Sequence, residues 1–197
     1  LVLYSSNTDG PVAVPGTYRA RLNFGDQSVE QEFEILKDPR VNSSLADLQA
    51  QFDFLIKVRD KLSEVNQAVI DIRKLYGDLD YLEAKLEDDP EAAPILEAIV
   101  SLREEASVIE NNIHETRNEA RQDPLNFGIK FNNRLAYLAT HESAGDFRPT
   151  SQGEAYRQEV SAQIDQEIAA LEELVEVHLP EINLMIRLQE IEMLGSP

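Results

Sequence analysis

The side chains able to do chemistry in this sequence are three histidines and a large population of carboxylates; cysteine is absent, which removes disulfides, thiolate metal sites and thiol nucleophiles together. His114, His141 and His178 are scattered, and none has a second histidine four residues away, the spacing by which one helix face grips zinc. His114 beside Glu115, and His141 beside Glu142, do not substitute, because adjacent side chains on a helix diverge by about 100°. The histidines therefore read as surface or capping residues. Carboxylate pairs such as Asp88-Asp89 and Glu172-Glu173 fall at helix ends or on polar faces, where they stay ionised and complement helix dipoles. General acid catalysis needs a carboxyl raised by burial, and nothing in these positions predicts one. Asp78 and Asp80 lack the spaced loop with a central glycine and terminal glutamate that holds calcium. No glycine-rich phosphate loop, no Gly-x-Ser-x-Gly elbow and no supported Ser/His/Asp order occurs. The expectation is a chain with no catalytic residue, no metal ligand set and no cofactor.

One stretch stands apart, Lys130-Phe131-Asn132-Asn133-Arg134-Leu135-Ala136-Tyr137-Leu138. Two consecutive asparagines are unfavourable inside a helical pattern, since their amides compete with the backbone for hydrogen bonds. The energetic return is expected from a bridge to neighbouring helices, from the loop at Asp146 to Thr150, or from a ligand or partner contact. Asn132, Asn133, Arg134, Asp146 and Thr150 are thus the candidate polar cluster, structural or partner-binding.

Charge narrows the partners. Eighteen basic and 37 acidic residues leave a net charge of −19, and no stretch concentrates lysine or arginine. Such a field repels a phosphate backbone and an anionic lipid surface, so nucleic acid is not an expected partner. No apolar run approaches the roughly 20 residues of a membrane span, so no membrane insertion is expected. The N-terminus shows neither a charged leader nor a cleavage site, so the signal of a secreted parent would lie upstream.

The elements that must position these residues divide at Lys37-Asp38-Pro39-Arg40. Before it, Tyr18, Ala20, Leu22 and Phe24 alternate with Arg19, Arg21 and Asn23; after Gly25-Asp26, Val29, Gln31, Phe33 and Ile35 alternate with Glu30, Glu32 and Glu34. Alternation with a glycine turn predicts a half-buried hairpin whose outward arginines face its outward glutamates. Residues 1–4 read as one further short strand. Three strands with bare edges rarely stand alone, so they either pack on the helices or belong to a sandwich whose first strands lie upstream, the preferred reading.

Beyond Pro39 the apolar period changes from two to 3.6. Ser44 with Asp47 approximates a capping box and opens a helix running to about Asp78 or beyond. Asp89-Pro90 restarts a second, with Ile95, Ile99, Leu102, Ala106, Ile109 and Ile113 as its seam. Asp123-Pro124 opens a shorter helix that turns Phe127, Phe131, Leu135 and Leu138 inward. Ser151 with Glu154 caps a third long helix, and Pro180 is expected to interrupt it before a short terminal helix carrying Ile182, Met185, Leu188 and Ile191. The predicted fold is α+β, mainly α: a hairpin or three-strand sandwich remnant over residues 1–38, then an antiparallel bundle of three long and two short helices over residues 39–197.

The Gly10-Pro11 and Pro15-Gly16-Thr17-Tyr18 segments with their hairpin, Asp38-Pro39-Arg40, Asn132-Asn133-Arg134-Leu135 and Arg148-Pro149-Thr150 resemble the C-terminal region of large bacterial BNR-repeat, sortilin-type β-propeller proteins labelled glycosyl hydrolases. In that family a propeller is followed by an immunoglobulin-like module and a helical region. The resemblance implies extracytoplasmic placement and a non-catalytic structural or interaction module whose partners are the upstream propeller and sandwich. No family catalytic residue maps onto this chain. An alternative is an accessory region of a carbohydrate-active enzyme that helps shape a glycan cleft, with Tyr76, Tyr81, Tyr137 and Tyr156 as candidate stacking rings; all but Tyr81 fall on the apolar stripe and so read first as core. A helical adaptor with an unrelated task is the third reading, and it predicts self-association without the strands.

Overall fold

A computed structural model describes residues 10–188; the expected strand at residues 1–4, and Ile191, lie outside the described residues. The hairpin forms as its alternation dictates. Strands β1 (Gly16–Phe24) and β2 (Gln27–Ile35) pair antiparallel about a two-residue turn, where Gly25 takes a left-handed φ of 55° that a side chain would resist. The register sets Arg19 opposite Glu32 and Arg21 opposite Glu30 on one face. Arg19 Nη2 lies 2.9 Å from Glu32 Oε1, and Arg21 pairs with Glu30. The other face carries Tyr18 opposite Phe33, with rings stacked 6.0 Å apart, and Leu22 opposite Val29.

That apolar face is open, where the alternation predicted half-burial. Leu22, Phe24 and Val29 are 72%, 82% and 67% exposed, and no strand residue belongs to the hydrophobic core. The helices do not cover it, because each spends its single apolar stripe on the other helices.

The bundle starts at α1 (Leu45–Leu86), which is capped as expected. Ser44 Oγ accepts from the Asp47 amide, and the Asp47 carboxylate accepts from the Ser44 amide. Asp89 caps a single 3-10 turn at Pro90–Ala92 that leads into α2 (Ala93–Ile113), whose predicted seam from Ile95 to Ile113 is buried. After residues 114–123 come α3 (Pro124–Phe127), α4 (Phe131–Glu142) and α5 (Ser151–Leu188).

Cross-links fix the directions. Arg103 reaches Asp80 at 2.7 Å and Arg73 reaches Glu110 at 3.1 Å, so α2 runs antiparallel to α1. Asn112 donates to Glu167, and His178 faces Glu105 at 3.7 Å, so α5 runs antiparallel to α2. Lys61 meets Asp165 and Arg148 meets Asp47, which leaves α1 and α5 parallel. Contacts of Asn132 with Asn66, and of residues 142–145 with Gln51, place α4 antiparallel to the first half of α1. The molecule is therefore a three-rod bundle roughly 60 Å long at 1.5 Å per residue, with α2 and α4 following one another as the middle rod. Val58, Ile72, Ile95, Leu102, Leu135 and Ile164 are fully buried between the rods.

Four local expectations are corrected. The helix begun at Pro124 does not continue to Leu138; Gly128, at φ 83°, ends it, and Phe127 points outward beneath the Arg117 guanidinium, 4.6 Å away. The capping residue of α5 is Thr150 rather than Ser151, since Thr150 Oγ1 accepts from the Gly153 amide. Tyr137 and Tyr156 are 50% and 38% exposed and so do not belong to the core. Pro180 lies inside α5 without interrupting it, and there is no separate terminal helix before residue 188. The chain tolerates Pro180 because Ile182 and Ile186 beyond it are anchored in the core, although an interior proline forfeits a hydrogen bond and crowds the preceding turn. Pro180→Ala is accordingly expected to stabilise the bundle by about 1–3 kcal/mol, read as a higher urea midpoint at unchanged slope.

Candidate functional site

The candidate polar cluster separates into two junctions at opposite ends of α4, roughly 18 Å apart by helix rise. Asn132, Asn133 and Arg134 begin that helix, and Asp146 and Thr150 lie beyond its end.

The first junction closes the break in the middle rod. Asn132, 1% exposed, sends its amide nitrogen to Asn66 Oδ1 at 3.3 Å and to His114 Nδ1 at 3.2 Å, while its oxygen accepts from the Asn133 amide at 2.7 Å. One side chain thus ties α1, the end of α2 and the first turn of α4, which is how the helix-disfavouring asparagine is offset. The Asn132 amide has two hydrogens and serves both acceptors when the His114 ring is neutral with its proton on Nε2. His114 is buried, not the surface or capping residue its sequence context suggested. Burial, with help from the Arg73 charge, pushes its pKa down to about 4. Protonation would set a ring N–H against the Asn132 amide. Arg134 lies over the Phe131 ring, 5.5 Å from its centre.

A pH signature follows. His114 titrates at about 4 folded against an ordinary 6.5, so between those values the unfolded chain binds more protons. Its contribution is fully present above 6.5 and is lost as pH falls toward 4. Relative to His114→Gln, the native chain is expected to lose stability between pH 7 and pH 4.5 in urea titrations; parallel curves would refute the assignment.

The second junction gathers the hairpin-proximal ends of α1, α4 and α5. Glu142, 1% exposed, accepts from Thr150 N at 3.2 Å and Thr150 Oγ1 at 3.0 Å. Gln51 Nε2 donates to the Glu142 and Gly145 carbonyls, Ser43 Oγ to the Asp146 carbonyl, and Arg148 Nε to Asp47 at 2.8 Å. Ser44 and Arg148 together hold the Asp47 carboxyl down to about 2. Gly153 passes so close to Glu142 that only a glycine fits beneath the carboxylate.

Elsewhere arginine partners stabilise ionised carboxylates. Arg117 holds Glu115 to about 2, and Arg157 does the same for Glu154. Tyr76, half-buried beside Glu110, is pushed up to about 12 by desolvation first and by that carboxylate second. No carboxyl displaced from its ordinary range is displaced upward, so none of these is poised as a general acid. Among the described residues no three His, Asp or Glu side chains converge as a metal site would require, and no helix is long and apolar enough to cross a membrane.

Two open grooves stand out among the described residues. One, about 440 Å³, lies between α2 and α5 over Val108, Ile109, Leu174 and Val177, with Glu105 and Glu173 at its margin. The other, about 390 Å³, runs along α1 from Gln51 to Asn66 and is edged by Gly10, Pro11 and Val12. Neither of these two grooves is lined by a tyrosine.

No family model matches this chain, and no curated protein or solved structure does either. The surfaces themselves therefore carry the functional reading. The residues that sequence reasoning passed over are Asn66, Glu142 and Gly153. Only Gly153 carried a signal, a glycine in the first turn of a strongly helical segment directly after Thr150.

Proposed function

We propose that this chain is a non-catalytic structural and interaction module at the C-terminal end of a larger extracytoplasmic protein of the BNR-repeat, sortilin-type β-propeller class, attached through its hairpin to an upstream antiparallel sheet. The observation that carries this reading is the division of the hairpin into an ion-paired face and a bare apolar face. A two-stranded sheet with one apolar side is marginal in water and normally buries that side against a second sheet, about 10 Å away. Large exposed apolar patches on otherwise soluble proteins mark contact sites. The family resemblance supplies the sandwich and the compartment. The buried polar junctions fit a structural role, since they join helices to one another.

Because the chain lacks cysteine, a single introduced thiol is a clean probe. Val29→Cys is expected to react quickly with a maleimide in this chain and at least ~100-fold more slowly in the longer protein that includes the preceding residues, as for local opening of a packed element. Equal rates in the two would overturn the reading.

A further inference from the structure

We propose that the groove along α1 is the seat of the chain's own first residues, taking the apolar side chains of Leu1 to Tyr4 at its far end, over Leu62 and Asn66. This goes beyond the hairpin reading and does not depend on it.

The groove is a seam that the bundle leaves unfilled. Opposite the first half of α1 the middle rod is α4, which contributes only Ala139 here, so Phe52 and Leu62 stay half-buried above a floor completed by Leu55 and Val58. Polar groups stand along the rim, Ser63 and Asn66 on α1 and Ser143 at the end of α4. A trough of this kind takes an extended, uncharged segment, whose side chains cover the floor without stranding a charge and whose backbone groups find partners at the rim.

Continuity names the segment. Gly10 and Pro11 already edge the groove, so the residues before them start from it; those nine residues lie outside the described residues. Gly145 and Asp146, which share the lining, are tied to Gln51 and Ser43 near the start of α1, and Gly10 is joined to β1 by a short linker. The end nearest the hairpin is therefore occupied, and the open direction is toward Asn66. From Gln51 to Asn66 the groove runs about 22 Å at 1.5 Å per residue, and an extended chain of about 3.3 Å per residue brings Tyr4 and Leu3 about 20 and 23 Å from Gly10. Composition fits that span. Ser5 to Asp9 are polar and bridge the distance, Leu1-Val2-Leu3-Tyr4 are consecutive apolar residues, and none of the first eight is charged in a chain whose residues are 28% charged. A third strand on the hairpin, the expectation for residues 1–4, would alternate these side chains and put two of the four on the ion-paired face. A groove walled on two sides accepts all four.

The absence of cysteine makes an engineered pair unambiguous. In the full chain, Leu3→Cys with Ser63→Cys is compared with Leu3→Cys with Glu64→Cys by the rate of intramolecular disulfide formation in dilute protein under mild oxidant. Ser63 lines the groove, whereas Glu64, one residue on and equally within reach of the tether, is exposed and turned toward Lys61 on the α5 side. The Ser63 pair is expected to close at least ~10-fold faster, because a seated segment has a higher effective concentration than a free tether, and the two rates should converge in concentrated urea. Leu1→Asp with Tyr4→Ser, added to the Ser63 pair, alters no residue of the bundle and should bring its rate down to that of the Glu64 pair. Circular dichroism and urea midpoints check that each variant keeps the bundle. Equal native rates, a Ser63 rate indifferent to Leu1 and Tyr4, a pair of Leu3→Cys with Thr17→Cys that closes faster than the Ser63 pair, as a third strand requires, or disulfides that only join two copies would each overturn the proposal. The Val29 maleimide experiment reads the hairpin face and this one reads the groove, so either can fail alone.

Discussion

Gly153→Ala is expected to destabilise the bundle by about 2–4 kcal/mol, although alanine is the better helix former by about 1 kcal/mol. A Cβ at this position would lie 2.3 Å from Glu142 Oε1 and 3.0 Å from Thr150 Oγ1. A long side chain ordinarily swings away from such a clash. Here the carboxylate is 1% exposed and holds both the amide and the hydroxyl of Thr150, so moving it strands a buried charge and unties the cap of α5. Breaking a buried charged contact outweighs the gain in helix propensity. Gly77→Ala in α1 is the matched control, because a Cβ there meets nothing within 4 Å. It is expected to stabilise by about 1 kcal/mol. Urea midpoints for the two variants should move in opposite directions at constant slope; movement in the same direction would remove Glu142 from the account.

In this chain the hairpin amides should exchange with solvent at least ~1000-fold faster than those of Ile72 or Ile99, because the strands gain nothing from the core. The helical amides open only with the bundle as a whole, whose stability is on the order of 5–15 kcal/mol. The hairpin opens alone, against a few cross-strand pairs worth about 0.2–1 kcal/mol each. Hydrogen exchange followed by NMR reads both classes of amide at once. Protection of Leu22 and Val29 comparable with Ile99 would mean that the apolar face is covered by this chain after all.

Much of the fold was legible because local signals agreed with one another. The hairpin register, the Ser44–Asp47 capping box, the Asp89-Pro90 restart and the α2 seam each follow from residue type and period, and each concerns atoms within a few residues of one another. The errors came where a tertiary contact overrode a local signal. Pro180 breaks helices in isolation, but Ile182 and Ile186 hold α5 together across it. Phe127 matched an inward period, but Gly128 ends the turn and Arg117 takes the ring on the outside. His114 looked unremarkable because its partner, Asn132, is 18 residues away, and Asn66, which shares the Asn132 amide, is 48 residues away.

By itself the sequence determined that this is a mainly helical, strongly acidic chain with an amphipathic hairpin at its head. Periodicity and charge are properties of short segments and are written residue by residue. Only the tertiary structure decided that α2 and α4 form one broken rod, that His114, Asn66 and Asn132 meet at the break, and that the hairpin turns a bare apolar face to water. Those outcomes depend on which greasy stripes find one another across long stretches of chain. Burial is a competition among all the surfaces present, and no segment carries its result alone.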